Sequence, residues 1–352
     1  MASWRDNIRQ VEPYVPGEQP KNTNVIKLNT NENPYGPSPR VKAVQDNEDL
    51  LRLYPDPTAG ALVDALAEYH GVDASQVFVG VGSDDVLAMS FLTFFNSDKP
   101  ILFPDITYSF YDVWAELFRI PYKQMPLDEN FRLKIDDYKG KNGGIVFPNP
   151  NAPTGIYESL DHVEEIIKNN PDVIVIVDEA YIDFGGETAL PLIDKYDNLV
   201  VVRTFFKKSR SMAGLRIGYA ISNPELIKAL NDVKYSYNSY TMNRPSLVLG
   251  VESIHDDAYF REKVGQIIAT RERFVKEIAE LGFTCLPSSA NFVFATHESI
   301  PAKEIFAAAK ENNIYVRYFD KPRIDNYLRI SIGTDAEMDV FVRFFVKICK
   351  RI

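Results

Sequence analysis

An acidic residue, a lysine and an arginine follow one another at spacings that could serve one cofactor. Asp178 ends the β-branched run of residues 173–177, Lys208 lies on the loop after the apolar run of residues 199–202, and Arg216 comes eight residues later. A lysine can form a Schiff base, a carboxylate can pair with a pyridinium nitrogen, and a cation can hold a phosphate. Each residue alone is most often a structural or solvated group, but this order and spacing predict pyridoxal phosphate chemistry.

Length and composition limit the class of protein. The 352 residues are enough for one large core and a second, smaller one. The net charge of −10 argues against nucleic-acid binding, although a few arginines in a cleft can still attract an anionic substrate. The two cysteines lie far apart and the four histidines are scattered, so neither a disulfide framework nor a metal site is expected. Without a leader or a membrane-length apolar run, the chain is expected to be cytoplasmic and not bound to a membrane.

Short apolar runs alternate with helical patterns between about residues 40 and 220. The predicted strands cover residues 76–79, 100–103, 144–147, 173–177 and 199–202. The predicted helices cover residues 59–70, 84–95, 108–118 and 161–169. This alternation indicates βαβ units around a mostly parallel sheet, whose ligands bind beyond the carboxyl ends of the strands. We therefore expect a large α/β domain at residues 36–245.

Two flanking segments have different patterns. Residues 1–35 are rich in Pro, Asn and Gly turns and are expected to form an arm that packs with a smaller domain. Residues 246–352 are expected to form that domain, an α+β unit with helices at 257–281 and 336–350 and strands at 291–294, 314–317 and 327–332.

The loops after the predicted strands carry further candidates. Residues 80–85 turn from a strand into a helix, so the first helical N–H groups could receive a phosphate, with Ser83 as helix cap or as ligand. Tyr108 could stack on a planar cofactor or pack in the core. Two prolines and a glycine fix the backbone of residues 149–155, and Tyr181 could donate a hydrogen bond to a ring oxygen. These loops predict a site at one edge of the sheet.

Motifs spread along nearly the whole chain are similar to those of one enzyme family. They lie at residues 28–39, 52–55, 82–85, 151–155, 178–181, 213–216 and 328–333. They resemble fold-type I pyridoxal-phosphate-dependent aminotransferases of class II, and most closely the histidinol-phosphate aminotransferases. The resemblance implies the fold-type I transferase fold and pyridoxal 5'-phosphate as cofactor. The implied reaction interconverts L-histidinol phosphate and 2-oxoglutarate with imidazole-acetol phosphate and L-glutamate, in histidine biosynthesis.

The resemblance also implies a role for each candidate residue. Lys208 would carry the Schiff base, Asp178 would pair with the pyridine nitrogen, and Tyr181 would contact the ring oxygen. The remaining cofactor contacts would come from the loops at the strand ends and from the partner of a homodimer: Ser83, Asp84, Tyr108, Asn149, Asn151 and Arg216, with Tyr54 reaching across to the partner's phosphate.

The anionic ends of the small-molecule substrates are implied to bind Arg329, with Tyr14 and Arg317 beside it. Two alternatives keep the same cofactor: an aromatic amino-acid aminotransferase, or a decarboxylase of phosphorylated amino acids. Because function depends on the site and not on the fold, the fold alone does not separate them. A non-catalytic cofactor-binding protein is a third alternative.

The chain departs from the family pattern at two positions. The family usually has Thr-x-Ser-Lys at the Schiff-base lysine, whereas this chain has Thr204 followed by Phe-Phe-Lys-Lys. Counting from Thr204 gives Lys207, but the spacings to Asp178 and Arg216 give Lys208, which we prefer. The family often has Asn directly before Pro-Thr-Gly, and here that residue is Ala152. The sequence does not decide whether a neighbouring asparagine contacts the ring oxygen instead.

Overall fold

A computed structural model describes residues 4–22, 24–45, 48–204 and 208–349. In chain order its strands are β1 (Ile26–Lys27), β2 (Val77–Gly80), β3 (Ile101–Pro104), β4 (Tyr122–Met125), β5 (Ile145–Pro148), β6 (Val175–Asp178), β7 (Leu199–Arg203), β8 (Gly218–Ile221), β9 (Phe283–Cys285), β10 (Phe292–His297), β11 (Ile314–Tyr315), β12 (Arg317–Tyr318) and β13 (Leu328–Ser331).

The helices alternate with these strands over the first two thirds of the chain. They are α1 (Pro39–Lys42), α2 (Gly60–His70), α3 (Ser83–Phe94), α4 (Tyr111–Phe118), α5 (Leu160–Lys168), α6 (Pro224–Tyr237), α7 (Arg244–Ile254), α8 (Asp257–Ala279), α9 (Ala302–Glu311) and α10 (Asp335–Cys349). Short 3-10 helices cover Trp4–Asn7, Glu48–Arg52, Ala74–Gln76, Ile135–Tyr138, Ile182–Phe184, Leu190–Leu192 and Ala213–Leu215. None of the helices in the described ranges is both long and apolar enough to cross a membrane.

Seven strands form the main sheet, in the order β2-β8-β7-β6-β5-β3-β4. β3 to β7 pair in parallel, while β8 runs antiparallel between β2 and β7. Each strand predicted between residues 76 and 202 overlaps one strand of this sheet, so the prediction of a mostly parallel α/β sheet is confirmed. β4 and β8 were not predicted.

The central strands are apolar because both of their faces are covered. Along β6, Val175 and Val177 belong to the apolar cluster on one face of the sheet, and Ile176 belongs to the cluster on the other. All four residues of this strand are buried. Since alternate side chains point to opposite faces, a strand covered on both sides reads as a continuous apolar run. Asp178 is the polar residue that ends this run.

A second core surrounds a four-stranded antiparallel sheet in the order β12-β13-β10-β9. β1, from the N-terminal segment, pairs in parallel with β11, and Leu28 after it is buried in the same core. This smaller sheet with its helices agrees with the predicted α+β region. The predicted boundary after residue 245 falls inside α7, which packs against α2 and places Ile254 in the core of the main sheet. The exact division of the chain into domains stays a prediction.

Candidate active site

Most of the predicted site residues line one open pocket of about 400 Å³. Its walls come from the loops after β2, β3, β5, β6 and β7, from the N-terminal segment, and from β12 and β13. The predicted residues brought together there are Tyr14, Asp84, Tyr108, Tyr181, Lys208, Arg216, Arg317 and Arg329. The pocket therefore lies where ligands bind in mostly parallel sheets, at the carboxyl ends of the strands.

Lys208 places its amine at the pocket wall. The residue is 4% exposed, and Nζ donates to the backbone oxygen of Asn31 at 3.4 Å. The same nitrogen lies 4.8 Å from the centre of the Tyr181 ring. Burial, followed by the positive charge of Arg329, lowers the pKa of Lys208 to about 7. Because such an amine is partly unprotonated near neutral pH, it can act as a nucleophile and as a base.

Asp178 is a buried carboxylate at the end of β6. The Tyr111 hydroxyl donates to Oδ2 at 3.0 Å, and the Ala180 N–H donates to Oδ1 at 3.1 Å. Burial raises the pKa of Asp178 to about 6, and the two hydrogen bonds oppose that rise. A cationic group beside this carboxylate would favour its charged form. A protonated ring nitrogen is one such group.

Asp84, Arg216 and Tyr108 form a hydrogen-bonded corner of the pocket. Asp84 Oδ1 accepts from the Tyr108 hydroxyl at 2.8 Å, and Oδ2 accepts from the Arg216 guanidinium at 3.0 Å. A Cβ at Gly82, whose φ is 85°, would lie 2.8 Å from Arg216. Only glycine suits that backbone and that close approach. Asp84 is itself an anion and is already paired with Arg216 and Tyr108, so it would not bind an anionic ligand. Such a ligand would contact Arg216 and the N–H groups at the start of α3.

Arg329 is a half-buried residue of β13 that also lines the pocket. It donates to the backbone oxygen of Asn29 at 2.9 Å, and its Nε has no hydrogen-bond partner among the described residues. Burial lowers the pKa of Arg329, and the positive charge of Arg317 acts in the same direction. Tyr14 also lines the pocket and stacks on Phe110, with 4.1 Å between the ring centres. A cation that is partly removed from water in this way gains from an anion beside it.

The structure does not bring the two predicted asparagines to the pocket wall. The Asn149 amide donates to the backbone oxygen of Glu158 and accepts from its N–H, both at 2.9 Å, so it fixes the loop. The Asn151 amide donates to the Ile106 oxygen and to Thr154, both at 3.0 Å. These bonds occupy the Asn149 amide at both ends and the amide nitrogen of Asn151, while Asn151 Oδ1 has no partner among the described residues. Ala152 lies at the pocket wall instead.

Ser83 and Tyr54, like the buried Asp178, are also not among the residues that line the pocket. The N-cap of α3 is Gly82, and Ser83 is the first residue of the helix, so the prediction of Ser83 as the cap was wrong. The glycine takes that place because a positive φ is required there. Tyr54 is 81% exposed and packs on the ring of Tyr240, with 4.6 Å between the ring centres. Within one chain, Tyr54 does not reach the site.

Two residues of the site had no role in the sequence interpretation. The Tyr111 hydroxyl donates to Asp178, and Tyr111 is the first residue of α4, three residues after Tyr108. Asn31 donates through Nδ2 to the Tyr181 hydroxyl at 2.9 Å. Its local signals were its position in the turn-rich run of residues 31–34 and in the motif of residues 28–39, and neither gave it a role.

Comparison with known proteins gives the family. The model of the family "Aminotransferase class I and II" matches residues 23–345. A histidinol-phosphate aminotransferase of Acinetobacter baumannii (strain SDF) is 52% identical over 342 residues, which cover 96% of this chain and 94% of the relative. Another, of Lactococcus lactis subsp. cremoris (strain MG1363), is 52% identical over 350 residues, which cover 99% of this chain and 98% of the relative.

Solved structures share the fold. The histidinol-phosphate aminotransferase of Clostridium acetobutylicum has a TM-score of 0.86 at 22% identity, covering 93% of this chain and 100% of the other. That of Sinorhizobium meliloti, in complex with pyridoxal-5'-phosphate, has a TM-score of 0.83 at 23% identity, covering 92% and 91%. These two likenesses bear on the fold alone, whereas the family model and the close relatives establish that the chain belongs to the class I and II aminotransferases and, within them, to the histidinol-phosphate aminotransferase family.

Proposed function

We propose that this chain is a pyridoxal-phosphate-dependent aminotransferase that interconverts L-histidinol phosphate and 2-oxoglutarate with imidazole-acetol phosphate and L-glutamate. The observation that carries this function is the pocket lined both by the buried Lys208 and by the half-buried Arg329, whose positive charge helps to lower the pKa of Lys208. The relatives that are 52% identical over nearly the whole chain carry the name of this activity. A cytoplasmic location is part of the proposal.

The residues present fit pyridoxal phosphate. Lys208 would hold it covalently, and Asp178 would keep its ring nitrogen protonated. Arg216 and the first N–H groups of α3 would bind its phosphate, and Tyr108 would pack on its ring. When bound, the cofactor supplies an electron sink for negative charge at the substrate α-carbon. The buried Asp178, which gains from a cationic neighbour, supports this assignment.

Lys208 also suits the proton transfer. Its pKa, lowered to about 7, makes Nζ partly unprotonated near neutral pH. Once the amine is free of the cofactor, it can take the proton from the substrate α-carbon, since a base is most effective when its pKa lies near the working pH. The low exposure of Lys208 limits competition from water.

Arg329 would hold the anionic end of both substrates. Histidinol phosphate carries a phosphate and glutamate carries a side-chain carboxylate, and the planar fork of an arginine can bind either group. The Nε atom of Arg329, which has no partner in the described ranges, supports this role. One cation would then serve both half-reactions.

The experiment that tests the function compares amino donors side by side. The purified enzyme with pyridoxal phosphate is assayed with histidinol phosphate, phenylalanine and aspartate, each with 2-oxoglutarate. Histidinol phosphate should give the highest kcat/KM. Arg329→Lys keeps the positive charge but loses the planar fork of the guanidinium. In both half-reactions the binding of the anionic end of the substrate should therefore lose about 1.5–3 kcal/mol. A preference for phenylalanine would support an aromatic aminotransferase, and carbon dioxide release from a phosphorylated amino acid would support a decarboxylase.

We propose further that the active unit is a homodimer with shared sites. An apolar pocket of about 330 Å³ lies between α2 and α7, beside Pro55. Large apolar side chains on the neighbouring surface are exposed: Leu51, Leu53, Tyr54, Tyr237 and Tyr240. An apolar surface of this kind is typical of an interface between subunits. Tyr54, which does not line the pocket of its own chain, would contact the partner's phosphate.

Mixing two defective variants tests the shared site. Lys208→Ala and Tyr54→Phe chains, refolded together, should regain about a quarter of the wild-type activity, because half of the dimers are mixed and each has one intact site. As a matched control, Lys208→Ala mixed with Asp178→Asn should regain none, since both residues come from the same chain. Equal recovery in the two mixtures, or a monomer in sedimentation at assay concentration, would contradict the proposal.

A further inference from the structure

The hydroxyl of Tyr181 is hydrogen-bonded to a side chain from the N-terminal segment. Asn31 Nδ2 donates to the Tyr181 hydroxyl oxygen at 2.9 Å. Tyr181 is 8% exposed, and its ring packs edge-on against Phe292, so the ring itself has little freedom. Within the described part of the chain, no residue accepts the proton of this hydroxyl. The hydroxyl therefore accepts from Asn31 and keeps its own proton for a group in the pocket.

Ser331 determines which end of the Asn31 amide faces Tyr181. Its Oγ accepts from the Asn31 backbone N–H at 2.9 Å. The same hydroxyl donates its own proton to Asn31 Oδ1 at 2.8 Å. An amide has one accepting end and one donating end, so with Oδ1 bound to Ser331 only Nδ2 is left for Tyr181.

The backbone of Asn31 is fixed from two more directions. Its carbonyl oxygen accepts from the Asn291 amide at 3.0 Å and from Lys208 Nζ at 3.4 Å. Its φ of 55° lies in the left-handed region, which asparagine tolerates better than most residues. The residue is 1% exposed. Its N–H, its carbonyl oxygen and both ends of its side-chain amide each have a partner, so the orientation of Asn31 is strongly restricted.

We propose that Asn31, oriented by Ser331, is a positioning residue that makes the Tyr181 hydroxyl a donor into the pocket. The inference deepens the proposed function, because the acceptor would be the ring oxygen of bound pyridoxal phosphate. Ala152, beside Tyr181 at the pocket wall, carries only a methyl group and supplies no donor at that position. Asn31 acts on the cofactor only through Tyr181.

The test measures the apparent pKa of the visible absorption band of the bound cofactor. A donor at the ring oxygen stabilises negative charge there and weakens the hold of that oxygen on the neighbouring proton. Tyr181→Phe should therefore raise the apparent pKa by about one unit, which is the size of effect that one hydrogen bond to a charged group can have. Asn31→Gly, which suits the positive φ, and Ser331→Ala should each raise it by part of that amount.

A double-mutant cycle separates positioning from general structural damage. In the Tyr181→Phe background, Asn31→Gly and Ser331→Ala should leave the apparent pKa unchanged, because the hydroxyl through which they act is gone. Equal shifts in the two backgrounds, or no shift from either variant when Tyr181 is present, would overturn the proposal. A wild-type protein without a visible band overturns both this inference and the cofactor assignment. Failure of histidinol phosphate turnover with a normal band contradicts only the proposed substrate.

Discussion

Lys208→Ala is expected to abolish transamination and the covalent attachment of pyridoxal phosphate together. The variant removes the Nζ amine, which donates to the backbone oxygen of Asn31. It removes both the group that holds the cofactor and the base for the α-proton, so turnover should fall by at least about 10³-fold. Borohydride reduction of the wild type, followed by peptide mapping, should place the label on Lys208.

Two matched variants test whether the reactive amine of Lys208 is required, as opposed to its positive charge or the neighbouring Lys207. Lys208→Arg keeps a positive charge but stays protonated, so it should be as inactive as the alanine variant. Lys207→Ala should keep both the label and the turnover. Lys207 lies outside the described residues, and its candidacy rests on the count from Thr204 alone. A borohydride label on Lys207 would reverse the assignment.

The main sheet and the position of the site could be predicted because they depend on local patterns. Strands covered on both faces are continuous apolar runs, and β5, β6 and β7 are buried along their whole length. The first polar residues after such runs lie at one edge of the sheet. This rule led to Asp178, and the spacings from Asp178 and to Arg216 then led to Lys208, without any knowledge of distant contacts.

The unpredicted strands lack such a pattern. β4 is an edge strand with the sequence Tyr-Lys-Gln-Met and two exposed residues, so it has no apolar run. β8 begins with Gly218, and a Cβ added at this position would lie 2.2 Å from the backbone of Gly82. Its place between β2 and β7 follows from pairing with strands that are distant in sequence, and glycine at such a close approach weakens the strand signal.

The Asn31 contacts are a further limit of local reasoning. Asn31 and Ser331 are 300 residues apart in the chain, and no periodicity connects them. One signal was present: Ser331 lies two residues after Arg329 on β13, so the two side chains share a face of the strand. The role of Asn149 could not be predicted from the sequence either, because only the fold shows that its side-chain amide is hydrogen-bonded to the Glu158 backbone.

Asp178→Asn is expected to lower kcat by at least about 10²-fold, comparable with removing one preorganised electrostatic group. The variant keeps the shape of the side chain and an oxygen that can accept from Tyr111, so the loss would come from the charge. Burial leaves this carboxylate with a pKa raised to about 6, so the group is ionised at neutral pH and can hold a ring N–H⁺. Without that anion, the ring nitrogen would lose its proton and the cofactor would be a weaker electron sink.

Tyr111→Phe is the matched control for this prediction. It removes the 3.0 Å hydrogen bond to Asp178 but leaves the carboxylate charge in place. The pKa of Asp178 should rise further, because that hydrogen bond now opposes the effect of burial. At neutral pH the kcat of Tyr111→Phe should therefore fall less than that of Asp178→Asn. At acid pH the kcat of Tyr111→Phe should fall further below the wild-type value, because more of the Asp178 carboxylate is protonated. If the two variants lose the same amount at every pH, or if Asp178→Asn turns over normally, the anionic charge at Asp178 is not what sustains the reaction.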